Sequence, residues 1–309
     1  MQTRSSLYGI VCLCAGLAVF SIQDLILKLI SGQYPLHQAM VLRSLTALPL
    51  LLALVQVSGG VRTLFTPGWP RMVRRGGVMF LAYTSYYLAL AAMPMATTVA
   101  LYFSAPLFIT LLSVLVLQER VSPLRWMAVA VGFAGVLIML RPGDALFDWA
   151  AVLPVIAGLA YGVSMISARR LGVTETAAAL AFWGNAVFLG VALVMSAVLG
   201  TGRFAVEGHA SLGFLLRGWV TPDLGDVALM CGCGVIAAVG LVLLTQAYRT
   251  AQASVIAPFE YTALIWSVIF GWVFWQNWPD ARAWVGITVI VGAGLFVLWR
   301  ERSERTVPA

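Results

Sequence analysis

Ten apolar runs of about 20 residues each, separated by short polar breaks, leave this chain very few ways to fold. A run of that length crosses the hydrocarbon core of a bilayer as a helix and is too long for a strand of a membrane barrel. No backbone polar group can stay unpaired in lipid, so each run must satisfy its hydrogen bonds internally. Composition agrees: of 309 residues 61% are hydrophobic and 10% charged, against about 25% charged in ordinary soluble domains. The first run, 7–30, is longer than a signal-peptide core and is followed by no convincing cleavage site, so it reads as a retained helix. The expectation is an all-α integral membrane protein in which only 200–226 leaves room for more than a loop.

A net charge of +7 invites a nucleic-acid reading, but its distribution opposes one. With both termini cytoplasmic, Arg4, Arg62, Arg71, Arg74, Arg75, Arg120, Arg125, Arg169, Arg170, Arg249, Arg300, Arg302 and Arg305 fall on that side. Only Arg141, Arg203, Arg217 and Arg282 fall on the other, together with Asp144, Asp148, Glu207, Asp223, Asp226 and Asp280. This asymmetry selects one orientation, because basic loops stay on the cytoplasmic side. It sets topology, and no nucleic-acid partner is expected. Cys12 and Cys14, like Cys231 and Cys233, are two apart in apolar runs. On a helix that spacing turns the thiols to different faces, so they read as small packing residues, and no metal or cofactor is expected.

The chain also repeats itself. Ala92-Met93-Pro94-Met95-Ala96 aligns with Ala247-Tyr248-Arg249-Thr250-Ala251 at a shift of 155. Gln118 and Trp126 align with Gln276 and Trp284 at a shift of 158, and Ala15-Gly16-Leu17-Ala18 recurs as Ala157-Gly158-Leu159-Ala160. Two units follow, 1–145 and 146–309, each with five helices. Five is odd, so the second unit enters the membrane from the opposite side and the repeat is inverted. Inverted repeats belong to secondary transporters, with a substrate site near the midplane between the units and alternating access to it. No Walker-type glycine loop is present, so energy must come from a gradient or from the substrate.

Polar residues at mid-depth are the candidate cavity lining, because intramembrane ionisable groups are rare and face protein or water. The first helix carries Gln23, Asp24 and Lys28. Asp24 and Lys28 are four apart with the acid first, the favourable order for an ion pair. That pair either fixes the helix or forms a gate or cavity wall. The second helix carries Gln38, Arg43 and Pro49, and Arg43 looks for Asp24 or Glu260 as partner. A basic loop with Arg62, Arg71, Arg74 and Arg75 precedes a third helix over 76–92 that holds Tyr83, Tyr86 and Tyr87. Tyr83 and Tyr87 share a face, and the three tyrosines together, beside Tyr102, point to a wet aromatic cavity rather than to interhelical hydrogen bonds alone. Pro106 marks a bend in a fourth helix over 96–117. Gly132 and Gly135 in the fifth allow close helix approach. In the second half Tyr161, Gln246, Tyr261 and Trp266 complete the lining. Glu260, read as two turns into a helix starting near 253, is either a group that gains and loses a proton or a fixed partner for Arg43. His37 and His209 fall near the outer surface, and no nucleophile, base or metal set for an enzyme accompanies them. The long segment 200–225 is left open as a lid, a mobile loop or neither.

The Ala-x-x-Pro-x-Ala connector at Ala91–Ala96, the Gln-Glu-Arg turn at Gln118–Arg120 and the glycine-bearing fifth helix resemble the EamA-like branch of the drug/metabolite transporter superfamily. The resemblance implies ten helices as five plus five around a central cavity, lined by the first, third, fourth, sixth, eighth and ninth, with the fifth and tenth peripheral. Asp24, Lys28, Gln38 and Arg43 are similar to a subset of carriers of amino acids, flavins and related metabolites. The aromatic lining is similar to that of YddG-type amino-acid exporters. Asn277 stands where the family's turn usually has an acid. The expected function is export of small polar metabolites, above all bulky or aromatic amino acids, across the bacterial inner membrane by a monomer. Uptake of a flavin-like compound and efflux of drugs are the alternatives on the same fold.

Overall fold

The computed structural model describes residues 2–118, 123–140, 148–171, 175–206, 208–250 and 257–305. Its elements are α1 (Gln2–Ile30), α2 (Leu36–Ser58), α3 (Trp69–Ala92), α4 (Met95–Tyr102), α5 (Ala105–Leu117) and α6 (Pro123–Leu140), followed by α7 (Val152–Leu171), α8 (Ala177–Leu199), α9 (Ala210–Leu216), α10 (Leu224–Thr250), α11 (Thr262–Trp275) and α12 (Ala281–Arg305). Short 3-10 turns at Val61–Phe65, Trp149–Ala151 and Ala257–Tyr261 join them, and no strand occurs among the described residues. Six described spans are long and apolar enough to cross a membrane: Leu7–Ile30, Leu36–Ser58, Met95–Val116, Trp149–Ser167, Ala177–Leu199 and Leu224–Leu241. Three shorter apolar stretches, Ala130–Met139, Phe259–Trp275 and Ala281–Ala293, accompany them.

Local chemistry sets the helix ends. Pro35 in extended conformation precedes α2, and Gly59 and Gly60, both at positive φ, follow it. Thr176 Oγ1 accepts from Ala179 N at 3.2 Å and Asp280 Oδ1 from Ala283 N at 2.7 Å, satisfying first-turn donors of α8 and α12. Helix α3 starts earlier than the sequence reading placed it: Pro70 sits in its first turn, so Arg71, Arg74 and Arg75 belong to the helix and not to the preceding loop. The fourth helix is not a bent rod but two helices, α4 and α5, separated by Phe103 and Ser104. Pro106 has no N–H for the Tyr102 carbonyl, and Leu107 N turns to Ser104 O at 3.0 Å, so the helical ladder stops there. The counterpart in the second half also differs from expectation. Glu260 lies on a 3-10 turn ahead of α11, and 251–256 are outside the described residues.

Helix α1 packs along α10, α2 on α8 and α10, α3 on α7 and α8, α5 on α7, α6 on α12, and α11 on α4 and α1. Small residues carry the closest of these contacts. A Cβ on Gly135 would lie 2.9 Å from both Ile290 and Val289 of α12, and one on Gly132 would lie 2.7 Å from Leu107. A Cβ on Gly234 of α10 would collide with the Arg43 carbonyl of α2.

The segment between α8 and α10 is a packed cap. Within it α9 buries Ser211 and Phe214, and Ser211 Oγ donates to Leu88 O at 2.7 Å. Gln38 clamps Val220 from both sides, donating to its carbonyl at 2.7 Å and accepting from its N–H at 3.1 Å. Arg217 Nη1 donates to Ser31 O at 3.2 Å, and Tyr34 donates to Asp226 Oδ2 at 2.5 Å. His37, expected near the surface, is fully buried between Ser196 Oγ (3.0 Å) and the Arg217 carbonyl (3.2 Å). His209 meets Asp148 at 3.1 Å. The loop bends back at Gly202 (φ +74°), and Trp219 N reaches Gly200 O at 2.9 Å, which closes the cap's neck.

Candidate functional site

A polar ladder crosses the bundle from α1 to α2 and α3. Gln23 is buried, and its amide works in both directions: Nε2 donates to the Tyr87 hydroxyl at 2.6 Å and Oε1 accepts from Arg43 Nε at 3.1 Å. One residue on, Asp24 Oδ2 accepts from the Tyr86 hydroxyl at 2.9 Å. The Arg43 guanidinium lies over the Phe188 ring of α8 at 5.7 Å and within electrostatic reach of Asp24, Tyr83 and Tyr87.

Two expected pairings are corrected here. Asp24 and Lys28 do not bond each other, and Arg43 bonds directly to Gln23 rather than to Asp24 or Glu260. Lys28 Nζ donates to the carbonyls of Leu90 and Met93, each at 2.6 Å, and lies over the Trp275 ring at 5.2 Å. The cause is Pro94. In a continuing helix the Leu90 carbonyl would accept from residue 94, which here has no N–H. An ammonium at a helix C-terminus satisfies that orphan acceptor and faces the negative end of the helix dipole. Lys28 therefore clamps the α3–α4 connector.

Around the ladder stands a run of aromatic rings. Tyr83 contacts Tyr87 at 5.9 Å and Phe188 at 5.4 Å, and Tyr86 contacts Tyr87 at 5.5 Å and Tyr102 at 5.3 Å. Tyr102 contacts Tyr161 of α7 at 5.7 Å, and Phe103 contacts Tyr261 at 5.0 Å. Glu260 is in electrostatic reach of Tyr102, Tyr161 and Tyr261, and Arg75 of Tyr83 and Tyr161. Arg75 Nε itself donates to Ser164 O at 3.2 Å. Tyr86 and Tyr87 use their hydroxyls on Asp24 and Gln23, whereas those of Tyr83, Tyr102 and Tyr161 have no hydrogen-bond partner among the described residues. They are not sealed either. Among the described residues, the sealed, unpartnered side-chain atoms are Ser44 Oγ, Thr84 Oγ1, Ser104 Oγ and Ser164 Oγ.

Gln23, Asp24, Arg43, Tyr83, Tyr87, Tyr102, Tyr161, Glu260 and Tyr261 thus come together from six segments: α1, α2, α3, α4, α7 and the 3-10 turn ahead of α11. Lys28 sits at their edge. Trp266 stacks on Phe270 of its own helix at 6.0 Å and contacts none of the other rings. The Gln246 side chain lies outside the described residues. Phe188 and Trp275 receive the two cations; nothing in the sequence separates Phe188 from other aromatics in apolar runs, and Trp275, with Trp272 and Trp278, reads as an aromatic belt at the outer interface. Tyr86, expected in the aromatic cavity with its neighbours, spends its hydroxyl on Asp24.

A family model described as the EamA-like transporter family matches residues 7–141. A riboflavin transporter of Rhizobium johnstonii is 32% identical over 229 residues, covering 74% of this chain and 70% of that protein. The chain belongs to the EamA-like transporter family. As other relatives of this EamA-like chain, an S-adenosylmethionine uptake transporter of Rickettsia prowazekii is 26% identical over 75% of the chain and 72% of that protein, and a pseudopaline exporter of Pseudomonas aeruginosa 26% identical over 89% and 90%. A solved crystal structure shares the fold at a TM-score of 0.63 and 19% identity, covering 99% of this chain and all of that one. The protein is a multi-pass membrane transporter of the drug/metabolite superfamily and not an enzyme.

Proposed function

We propose that this EamA-like transporter carries a small polar metabolite bearing a flat aromatic ring across the bacterial inner membrane, by alternating access between inverted units 1–145 and 146–309. The observation that carries the reading is the open set of hydroxyls on Tyr83, Tyr102 and Tyr161 beside the Gln23–Arg43–Asp24 ladder. Tyrosine faces stack on a ring while their hydroxyls bond its polar edge. Relatives named for riboflavin and S-adenosylmethionine fit such a ligand and favour a fused heterocycle. Bulky amino acids, the first expectation from sequence, present a ring and a polar head to the same groups.

Several features support the inverted repeat. Gln118 and Gln276, aligned at the shift of 158, are the non-glycine residues at positive φ among those described, both at 55°. Helices α6 and α12 begin 158 residues apart, at Pro123 and Ala281. Packing partners also exchange: α1 pairs with α10 as α7 does with α3, while α2–α8 and α6–α12 pair counterpart with counterpart.

The test is binding by the purified protein, read as thermal stabilisation, followed by counterflow in liposomes with whichever ligand binds. Riboflavin, S-adenosylmethionine, tryptophan and phenylalanine form the panel, with an alkyl polyol as ring-free control. Stabilisation by a ring compound and trans-stimulated exchange are expected. Equal response to the ring-free control, or flux without trans-stimulation, would overturn the reading.

A further inference from the structure

The reading of a ring-binding transporter leaves one group unexplained. Arg43 is 7% exposed and always charged, yet of its five N–H donors only Nε has a hydrogen-bond partner among the described residues. Neither Nη atom bonds a protein group among the described residues, and neither is among the sealed atoms. Asp24 is close enough to interact with this charge but bonds Tyr86 and not the Arg43 fork, and a buried guanidinium whose fork meets no anion directly is unfavourable. Asp24 shows the complementary condition: Oδ2 accepts from Tyr86, while Oδ1 has no partner among the described residues and is not sealed.

We infer that the outer edge of Arg43 is the receptor for a substrate carboxylate, with Asp24 Oδ1 receiving the ammonium of the same amino-acid-type head group. This deepens the proposed function and rests on it. The two Nη groups match the two oxygens of a carboxylate in a bidentate pair. Other charged neighbours leave that edge free. Lys28 is committed to the Leu90 and Met93 carbonyls, Arg75 is drawn to Ser164 O, and Glu260 lies on the Tyr102–Tyr161 side. A single cation beside Asp24 suits a monoanion and disfavours a phosphate dianion, which Asp24 would repel. The Tyr83 face beside Arg43 then takes the ring. The substrate is a zwitterion with a flat ring, chemically closer to S-adenosylmethionine or tryptophan than to riboflavin, which has no carboxylate.

Matched ligand pairs on the purified full-length protein test this. Tryptophan is compared with tryptamine, S-adenosylmethionine with its decarboxylated form, and riboflavin with its 5′-phosphate, by titrated thermal shift. In wild type the carboxylate-bearing member should bind at least about tenfold tighter. Arg43→Gln should abolish that ratio with little change for the decarboxylated member, and Arg43→Lys should keep part of it because charge survives without the fork. Equal affinities in wild type, equal weakening of both members by Arg43→Gln, or a gain confined to the 5′-phosphate would each overturn the inference. Riboflavin binding without either carboxylate ligand would overturn it while sparing the ring-metabolite reading. No binding by any of them would sink both. Should Arg43→Gln fail to fold, the wild-type ratios and Arg43→Lys still decide.

Discussion

Replacing Gly234 by alanine tests how tightly α10 holds the backbone that carries Arg43. A Cβ at Gly234 would strike the Arg43 carbonyl oxygen and lie 2.8 Å from Thr46 Cβ and 3.0 Å from Ala47 N. None of these is the free end of a flexible side chain, so the helices must separate. Overpacking of this kind costs about 1–3 kcal/mol. Alanine also gains up to about 1 kcal/mol of helix propensity over glycine, which would blur the result taken alone. Gly232, on the same helix, provides the correction, since a Cβ there meets nothing within 4 Å. The difference between Gly234→Ala and Gly232→Ala removes the propensity contribution and isolates the clash. For a chain of 309 residues it corresponds to a melting temperature about 2–5 °C lower for Gly234→Ala, measured by intrinsic fluorescence in detergent. Ligand affinity should fall as well, because the Arg43 backbone is what moves. Two variants melting within a degree of each other would refute the close α2–α10 approach.

Lys28→Met should destabilise by about 1–3 kcal/mol, because the Leu90 carbonyl that Pro94 cannot serve is left unpaired; an unchanged melting temperature would remove Lys28 from its clamp. Tyr34→Phe and Asp226→Asn should each lower the melting temperature by loosening the outer cap, and the double variant should lower it no further than either alone; full additivity would mean the 2.5 Å bond contributes nothing. The Asp226 carboxylate also raises the Tyr34 phenol above its ordinary value of 10.0, so this latch is present below that pH and is lost as pH rises through the shifted value, which hydrogen exchange of 31–35 would report. Glu260→Gln should change the pH dependence of transport more than protein yield; a pH profile identical to wild type at normal expression would leave Glu260 a structural role alone.

The all-helical membrane architecture could be read from the chain, because apolar run length depends on local sequence. Gly135 against Val289 and Ile290 shows the same for helix contact. Residues of the polar ladder were also recognisable, since Gln23, Asp24 and Arg43 stand out against an apolar background. Their pairing was not. The i, i+4 spacing of Asp24 and Lys28 favoured an ion pair, but it cannot register that Pro94, 66 residues beyond Lys28, leaves a carbonyl needing the ammonium. The split of the fourth helix was half visible: Pro106 announced an interruption, while the extent of unwinding depends on where Leu107 N finds its acceptor. The cap was opaque because its order comes from contacts such as Ser211 to Leu88, 123 residues apart, which no local pattern encodes.

Fusion reporters at the two chain ends and within 203–206 of the cap bear most directly on the inverted-unit account. It requires both ends in the cytoplasm, as the thirteen arginines assigned to that side demand, and the cap on the opposite face. Finding the two ends on different sides, or the cap on the same side as both, would contradict it.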